Sequence, residues 1–402
     1  MANIYAIATM DTKGQEILYV ADCARKVGAD VTVVDVGTQA AAQRKADVSR
    51  EAVAACHVGG VKAVLDHTDR GQAVTAMSEA LCAFLAKEFA AGKVAGVIGI
   101  GGSGGTALIT PAMQALPVGM PKVMVSTVAS GNTAPYVGCC DITMMYSVVD
   151  VAGINKVSRQ VLGNAAHAIA GMAINTVAQG KTKPTVGMTM FGVTTPCVTM
   201  VREALEKEGY DCLVFHATGT GGQAMEKLVE SNMIDGVLDI TTTEVADEVV
   251  GGVFPAGSAR FDRILKRGIP YVVSLGALDM VNFGAIETVP EKFKNRKLHV
   301  HNAQVTLMRT TPDENRQFAA WMAKKLNRST RPIRILIPEK GVSLIDVPGQ
   351  PFYDPQADAA LFEEIENRIE QTTDRTIMRL PNNINDPEFA QALVGAFKTV
   401  VR

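Results

Sequence analysis

The residues best suited to chemistry in this chain are five glycines within the run Gly99-Ile100-Gly101-Gly102-Ser103-Gly104-Gly105-Thr106. Lacking a Cβ, glycine lets the backbone approach a ligand closely. The apolar run Val94-Ala95-Gly96-Val97-Ile98 precedes them and a helix-like segment, Ala107 to Met113, follows. The pattern predicts a strand, a tight loop and a helix start, with free N–H groups and a positive dipole end facing an anion. Gly101, Gly102, Ser103, Gly104, Gly105 and Thr106 are therefore expected to cradle a phosphate or another oxyanion. The spacing Gly99-x-Gly101-x-x-Gly104 also matches the dinucleotide fingerprint, which requires an acidic residue about twenty positions on to hold the ribose. The corresponding segment, Val123 to Asn132, has no acid but offers Ser126, Thr127, Ser130, Gly131 and Asn132. That shifts the expectation from a dinucleotide to a mononucleotide or sugar phosphate. The competing reading is that the glycines serve only tight packing.

Other polar loops are expected at the same sheet edge. Thr9, Asp11, Thr12, Lys13 and Gly14 follow the strand-like Ile4 to Ala8. Lysine there can neutralise phosphate, and aspartate can hold Mg²⁺ or a ribose; alternatively Thr and Asp cap the next helix and Lys13 is solvated. Ser126 to Asn132 forms a third loop, and Asp66-His67-Thr68-Asp69-Arg70-Gly71 a fourth, after an expected strand at Val61 to Leu65. Asp141, Asp150, Asn155 and Lys156 either close the site or line an interface. In the second half Thr218-Gly219-Thr220-Gly221-Gly222 repeats the glycine-loop logic, so Gly219, Gly221 and Gly222 are expected to form a second anion-binding loop facing the first. Glu244, Asp279, His299 and His301 are the acid–base candidates there. The His299-x-His301 pair would suit a metal, yet no carboxylates or cysteines cluster nearby in sequence. Gly180-Lys181-Thr182 is not a Walker loop, because the required glycine five positions earlier is Asn175.

The elements that must position these residues alternate strand and helix through the first half, which implies a parallel sheet covered on both faces. A helical stretch, about Val157 to Ala178, runs into Gly180-Lys181-Thr182-Lys183-Pro184, a linker. Beyond it the order strand, Thr-bearing loop, helix, strand restarts, a weak internal duplication. Later strands are expected at Gly236 to Ile240, Tyr271 to Leu275, His299 to Asn302 and Ile333 to Pro338. With 402 residues the chain divides into two α/β domains, 1–183 and 184–402. A formal charge of −2 argues against nucleic acid as a partner. No apolar run is long enough to cross a membrane. The cysteines, seven in number and without C-x-x-C spacing, fit a reducing compartment, so the protein is expected in the cytoplasm.

The segments Ala8 to Gly14, Gly99 to Thr106, Ser126 to Asn132, Thr218 to Gly222 and Leu298 to Asn302 together resemble a family: proteins typified by the N-terminal ATP-binding region of the tomato mosaic virus resistance protein. The resemblance spans the chain. It implies two Rossmann-like domains, ATP in the N-terminal one with Mg²⁺ accompanying it, and self-association as a homodimer; it supplies no catalytic residue. The leading expectation is an ATP-binding protein. The alternatives are an enzyme acting on a small phosphorylated or carboxylated metabolite between the domains, and an interaction subunit whose nucleotide sets its oligomeric state.

Overall fold

Short β-branched runs followed by amphipathic segments fold into parallel strands buried on both faces, seen in a computed structural model that describes residues 3–39, 44–175, 177, 180 and 182–401. Packing divides the chain into two units, Met1–Gly180 and Lys181–Arg402. Lys181 of the expected linker and Ala178 of the expected long helix lie outside the described residues.

The first unit runs β1 (Asn3–Ala8), α1 (Met10–Lys26), β2 (Val31–Asp35), α2 (Arg50–Ala54), α3 (Lys62–Leu65), α4 (Arg70–Ala90), β3 (Val94–Gly101), α5 (Ser103–Ala115), β4 (Lys122–Ser126), α6 (Ala134–Val137), β5 (Thr143–Tyr146) and α7 (Lys156–Ile174). Its strands are parallel, in the order β2-β1-β3-β4-β5. Alternation along β1 shows why both faces are covered. Tyr5 and Ile7 pack with Met77 and Leu81 of α4 and Leu108 and Ile109 of α5. Ile4, Ala6 and Ala8 pack on the opposite face with Ile17 and Val20 of α1 and Leu162 and Ala165 of α7. The expected strand at Val61 to Leu65 is instead the short helix α3; only Val64 of it is buried, so the run had no second face to pair.

The second unit runs β6 (Thr185–Met190), α8 (Thr195–Lys207), β7 (Asp211–His216), α9 (Thr220–Glu230), β8 (Gly236–Thr241), α10 (Thr243–Val250), α11 (Asp262–Arg267), β9 (Tyr271–Gly276), β10 (Met280–Phe283), β11 (Leu298–Asn302), β12 (Val305–Arg309), α12 (Pro312–Leu326), β13 (Ile333–Pro338), α13 (Pro355–Arg368), β14 (Arg375–Leu380) and α14 (Pro387–Val400). Its parallel sheet has the order β14-β13-β9-β8-β6-β7. Read from the β7 edge, β7-β6-β8-β9-β13 repeats β2-β1-β3-β4-β5, with β14 added. The strand carrying His299 and His301 is not part of this sheet. It is β11, an edge of the antiparallel sheet β10-β12-β11 inserted between β9 and β13.

Candidate functional site

In the first sheet the strand order reverses between β1 and β3: the chain leaves β1 for β2 on one side and β3 for β4 on the other. The loops that follow these two strands diverge, and open α/β sheets hold ligands in the crevice this leaves. A cleft of about 210 Å³ opens there, lined among others by Thr9, Asp11, Thr12, Arg70, Gly104 and Gly105. Gly102 is the cap residue of α5 and makes no side-chain capping bond. The first-turn amides at Ser103, Gly104 and Gly105 therefore have no partner within the helix. Arg70 stands over them, its Nη2 3.6 Å from where a Cβ on Gly104 would lie. It has no hydrogen-bond or ion-pair partner among the described residues.

The glycines of the run divide by role. A Cβ on Gly99 would meet Met124 Sδ at 2.7 Å and one on Gly101 would meet Gly105 Cα at 2.9 Å, so these two serve close strand–helix packing. A Cβ on Gly102 would find only Thr127 Oγ1, at 3.7 Å, which leaves that backbone open to a ligand. Thr106 is corrected from a phosphate contact to a brace: it is fully buried, donates to the Gly102 carbonyl at 2.8 Å and shares a 2.6 Å hydrogen bond with Ser126.

The loop after β1 is shorter than the sequence suggests, because α1 begins at Met10. Thr9 occupies the cap position without a side-chain capping bond, and its hydroxyl lies 3.1 Å from that of Thr12. Asp11 Oδ2 accepts from the Gln39 amide at 3.2 Å, while its Oδ1 is buried without a partner. Asp11 and Thr12 also line an adjoining groove of about 280 Å³ that includes Arg44. Lys13 lies in a kink of α1, at φ −125°, outside the lining of both clefts. The cation at the glycine loop is Arg70, not Lys13. Ser130, Gly131 and Asn132 also fall outside; Asn132 Oδ1 accepts from the Ala134 amide at 3.1 Å, just before α6. Asp141 pairs with buried Lys122 at 2.8 Å and Asn155 caps α7, so neither closes the site.

In the second unit the glycine loop is already occupied. The Glu244 carboxylate accepts from the Gly219 amide at 2.8 Å and the Gly222 amide at 3.1 Å, and Arg260 Nε donates to it at 2.9 Å. Arg260 is itself buried and reaches Asp239 at 2.7 Å and Glu226 at 3.1 Å. Burial pushes the Glu226 and Glu244 carboxyls up, opposed by the Arg260 charge. The expectation that Gly219, Gly221 and Gly222 offer an open anion site is thereby corrected: the anion is internal. The acid–base reading changes with it. Glu244 and Asp279 are each 1% exposed, and Asp279 accepts from Ser343 at 2.7 Å, so neither faces open space. His299 leans on the Phe352 ring at 6.1 Å. Among the described residues no three His, Cys, Asp or Glu side chains group to hold a metal ion. A larger groove, about 480 Å³, runs between α8 and α14, and among the described residues its charged side chains are Glu208 and Lys398, which pair with each other.

Residues 2–178 match the N-terminal domain, and residues 183–401 the C-terminal domain, of the Uncharacterised protein family UPF0261. The chain belongs to the UPF0261 family. A UPF0261 protein of Rhizobium meliloti (strain 1021) is 54% identical over 400 residues, covering 100% of this chain and 99% of that protein. A Clostridium tetani UPF0261 protein is 48% identical over 392 residues, 97% of each chain. A ToMV resistance protein of Solanum lycopersicum is 50% identical over 418 residues, which takes in 98% of this chain but 55% of the tomato protein.

Two features of this UPF0261 chain escape a reading of loops alone. Asp35, at the end of β2, accepts from the Met10 amide at 3.0 Å and the Gly37 amide at 2.8 Å and so ties the first two loops together. Burial pushes its carboxyl up despite those amides. The signal was Asp35-Val36-Gly37, an acid and a glycine just past a strand. The second is Arg70, visible in sequence only as one polar residue among several; its place over Gly104 follows from α4 and α5 packing side by side.

Proposed function

We propose that this UPF0261 chain binds a mononucleotide polyphosphate, ATP with Mg²⁺, in the crevice between β1 and β3. The observation that carries this reading is the unpaired Arg70 above the uncapped start of α5. A phosphate placed there receives first-turn amides, the positive end of the helix dipole and a guanidinium suited to bidentate contact. Such charge-assisted hydrogen bonds contribute about 1.5–3 kcal/mol each. The hydroxyls of Thr9 and Thr12 line the same cleft, and the unpartnered Oδ1 of Asp11 is an acceptor for Mg²⁺ or a ribose hydroxyl. Through Asp11 and Thr12 the cleft adjoins the polar groove beside Arg44, room for the nucleoside. A dinucleotide fits less well, because the segment after β4, Thr127 to Asn132, carries no acid to hold its ribose. The family resemblance narrows the nucleotide to ATP.

The seven cysteines are free thiols, and among the described residues no helix is long and apolar enough to cross a membrane. Both suit a cytoplasmic protein, and the homodimer implied by the resemblance belongs to the same reading. Titration calorimetry with ATP and Mg²⁺ tests it against Arg70→Gln. The parent should bind and the variant should bind about 10–100-fold more weakly, the loss of one charge-assisted bond. A parent that takes up no ATP, or a variant that binds as tightly, refutes the assignment.

A further inference from the structure

The repeated strand order lets the two units be compared position by position. Helix α5 follows β3, the third strand of the first unit, and α10 follows β8, the third strand of the second. Gly104 is the second residue of α5, and Glu244 is the second residue of α10. Where one unit presents bare backbone to a cleft, its sister presents a carboxylate. That carboxylate reaches the loop after β7, the counterpart of β2, and closes it.

The atoms that hydrogen-bond the Glu244 carboxylate are all donors. Oε1 accepts from two amides, Gly219 and Gly222, and Oε2 accepts from Arg260 Nε. Each of these partners is a donor, so the group they fit is an ionised carboxylate rather than a neutral acid. The glycines are there for contact: Gly219 has φ +80°, and a Cβ on Gly222 would stand 2.1 Å from Glu244 Oε2. Arg260 is 3% exposed and its three donor groups are shared among Glu244, Asp239 and Glu226. This receptor lies inside the second unit's own packing and opens to none of the clefts described above.

The geometry points to a closed oxyanion receptor in the second unit, formed by the Gly219 and Gly222 amides and Arg260, whose occupant is the chain's own Glu244 side chain. Emptied of that side chain, the receptor takes a small carboxylate such as formate or acetate. A corollary, which rests on the nucleotide reading above, is that each chain binds one ATP, in the first unit only.

The test is chemical rescue in the full-length chain. Glu244→Ala should melt well below the parent. Sodium formate should raise its melting temperature saturably, by at least about 2–4 °C over sodium chloride of equal ionic strength, with no such difference in the parent. Equal melting in the two salts overturns the receptor. Should Glu244→Ala aggregate in chloride, refolding in formate decides instead: soluble protein recovered only in formate supports the receptor, and aggregation in both salts overturns it. Calorimetry of the parent tests the corollary, with one ATP per chain expected and two overturning it. If the parent binds no ATP, the nucleotide reading and its corollary fall, while the formate result still decides the receptor.

Discussion

Gly102 and Gly222 sit at the starts of helices in sister folds, yet one faces a cleft and the other a carboxylate. The nearest atom to a Cβ on Gly102 would be 3.7 Å away, whereas on Gly222 it would be Glu244 Oε2 at 2.1 Å. The same device, bare amides at a turn, is therefore used twice: once left open, once filled from within. Nothing in the glycine spacing separates the two uses. What separates them is the residue at the start of the helix after the third strand, Gly104 in one unit and Glu244 in the other.

The sharpest way to break this contrast is to add the same methyl group on both sides. Gly222→Ala should drive Glu244 out of its nest and leave Arg260 and the carboxylates mispaired, a loss of about 3–5 kcal/mol in urea unfolding, as for other broken buried ion pairs. Gly102→Ala should stay within about 1 kcal/mol of the parent, the scale of a changed helix cap. Equal losses at the two positions would mean that the first loop is packed as tightly as the second.

A second experiment moves the carboxylate instead. Gly104→Glu places at the start of α5 the group that α10 carries at Glu244, within reach of the unpaired Arg70. The acid in the first turn favours the helix by about 0.3–1 kcal/mol, so the fold should hold. ATP affinity should drop by about 100-fold or more, equivalent to about 2.7 kcal/mol, as the side chain takes the phosphate's place. Unchanged ATP binding in calorimetry would show that the ligand does not use this turn. Gly102→Val should act similarly by bulk alone, with circular dichroism unchanged and ATP titration flat.

These contrasts also show why the sequence told part of the story. The strands of the first unit could be read from their β-branched runs, and the phosphate-sized loop from its glycines, because both signals are local. Val61 to Leu65 misled because a mostly apolar run of that length suits a short helix equally well once only Val64 is buried. The filling of the second loop was hidden for a different reason. Glu244 lies 22 residues from Gly222 along the chain, and only the adjacency of the loop after β7 to the start of α10 brings them together. Likewise Lys13 looked like the natural phosphate partner because it neighbours the first loop, while Arg70 reaches the cleft through the packing of α4 against α5.

A more graded effect concerns what the second unit buries beyond Glu244. Burial pushes the Asp247 carboxyl up to about 7, and its hydrogen bonds all come from Asn282 and Phe254 rather than from a cation. Burial raises Asp279 to about 6; it raises Asp346 to about 9, with Asp279 and Asp358 adding to the shift. Each of these groups in the folded unit keeps a proton that the unfolded chain releases near pH 4. Their contribution to stability is complete below about pH 4 and is lost as pH rises through the folded values, by pH 6 to 7 for Asp279 and Asp247 and by pH 9 for Asp346. The sole tryptophan, Trp321, is partly buried and packs edge-on against Phe261 of this unit's core, so its fluorescence reports the unit's unfolding. The urea midpoint read from Trp321 should fall steadily from pH 5.5 to pH 8.5. A midpoint that stays flat or rises over that range would mean that these carboxyls are ionised where they lie, and that the second unit tolerates buried negative charge without protons to offset it.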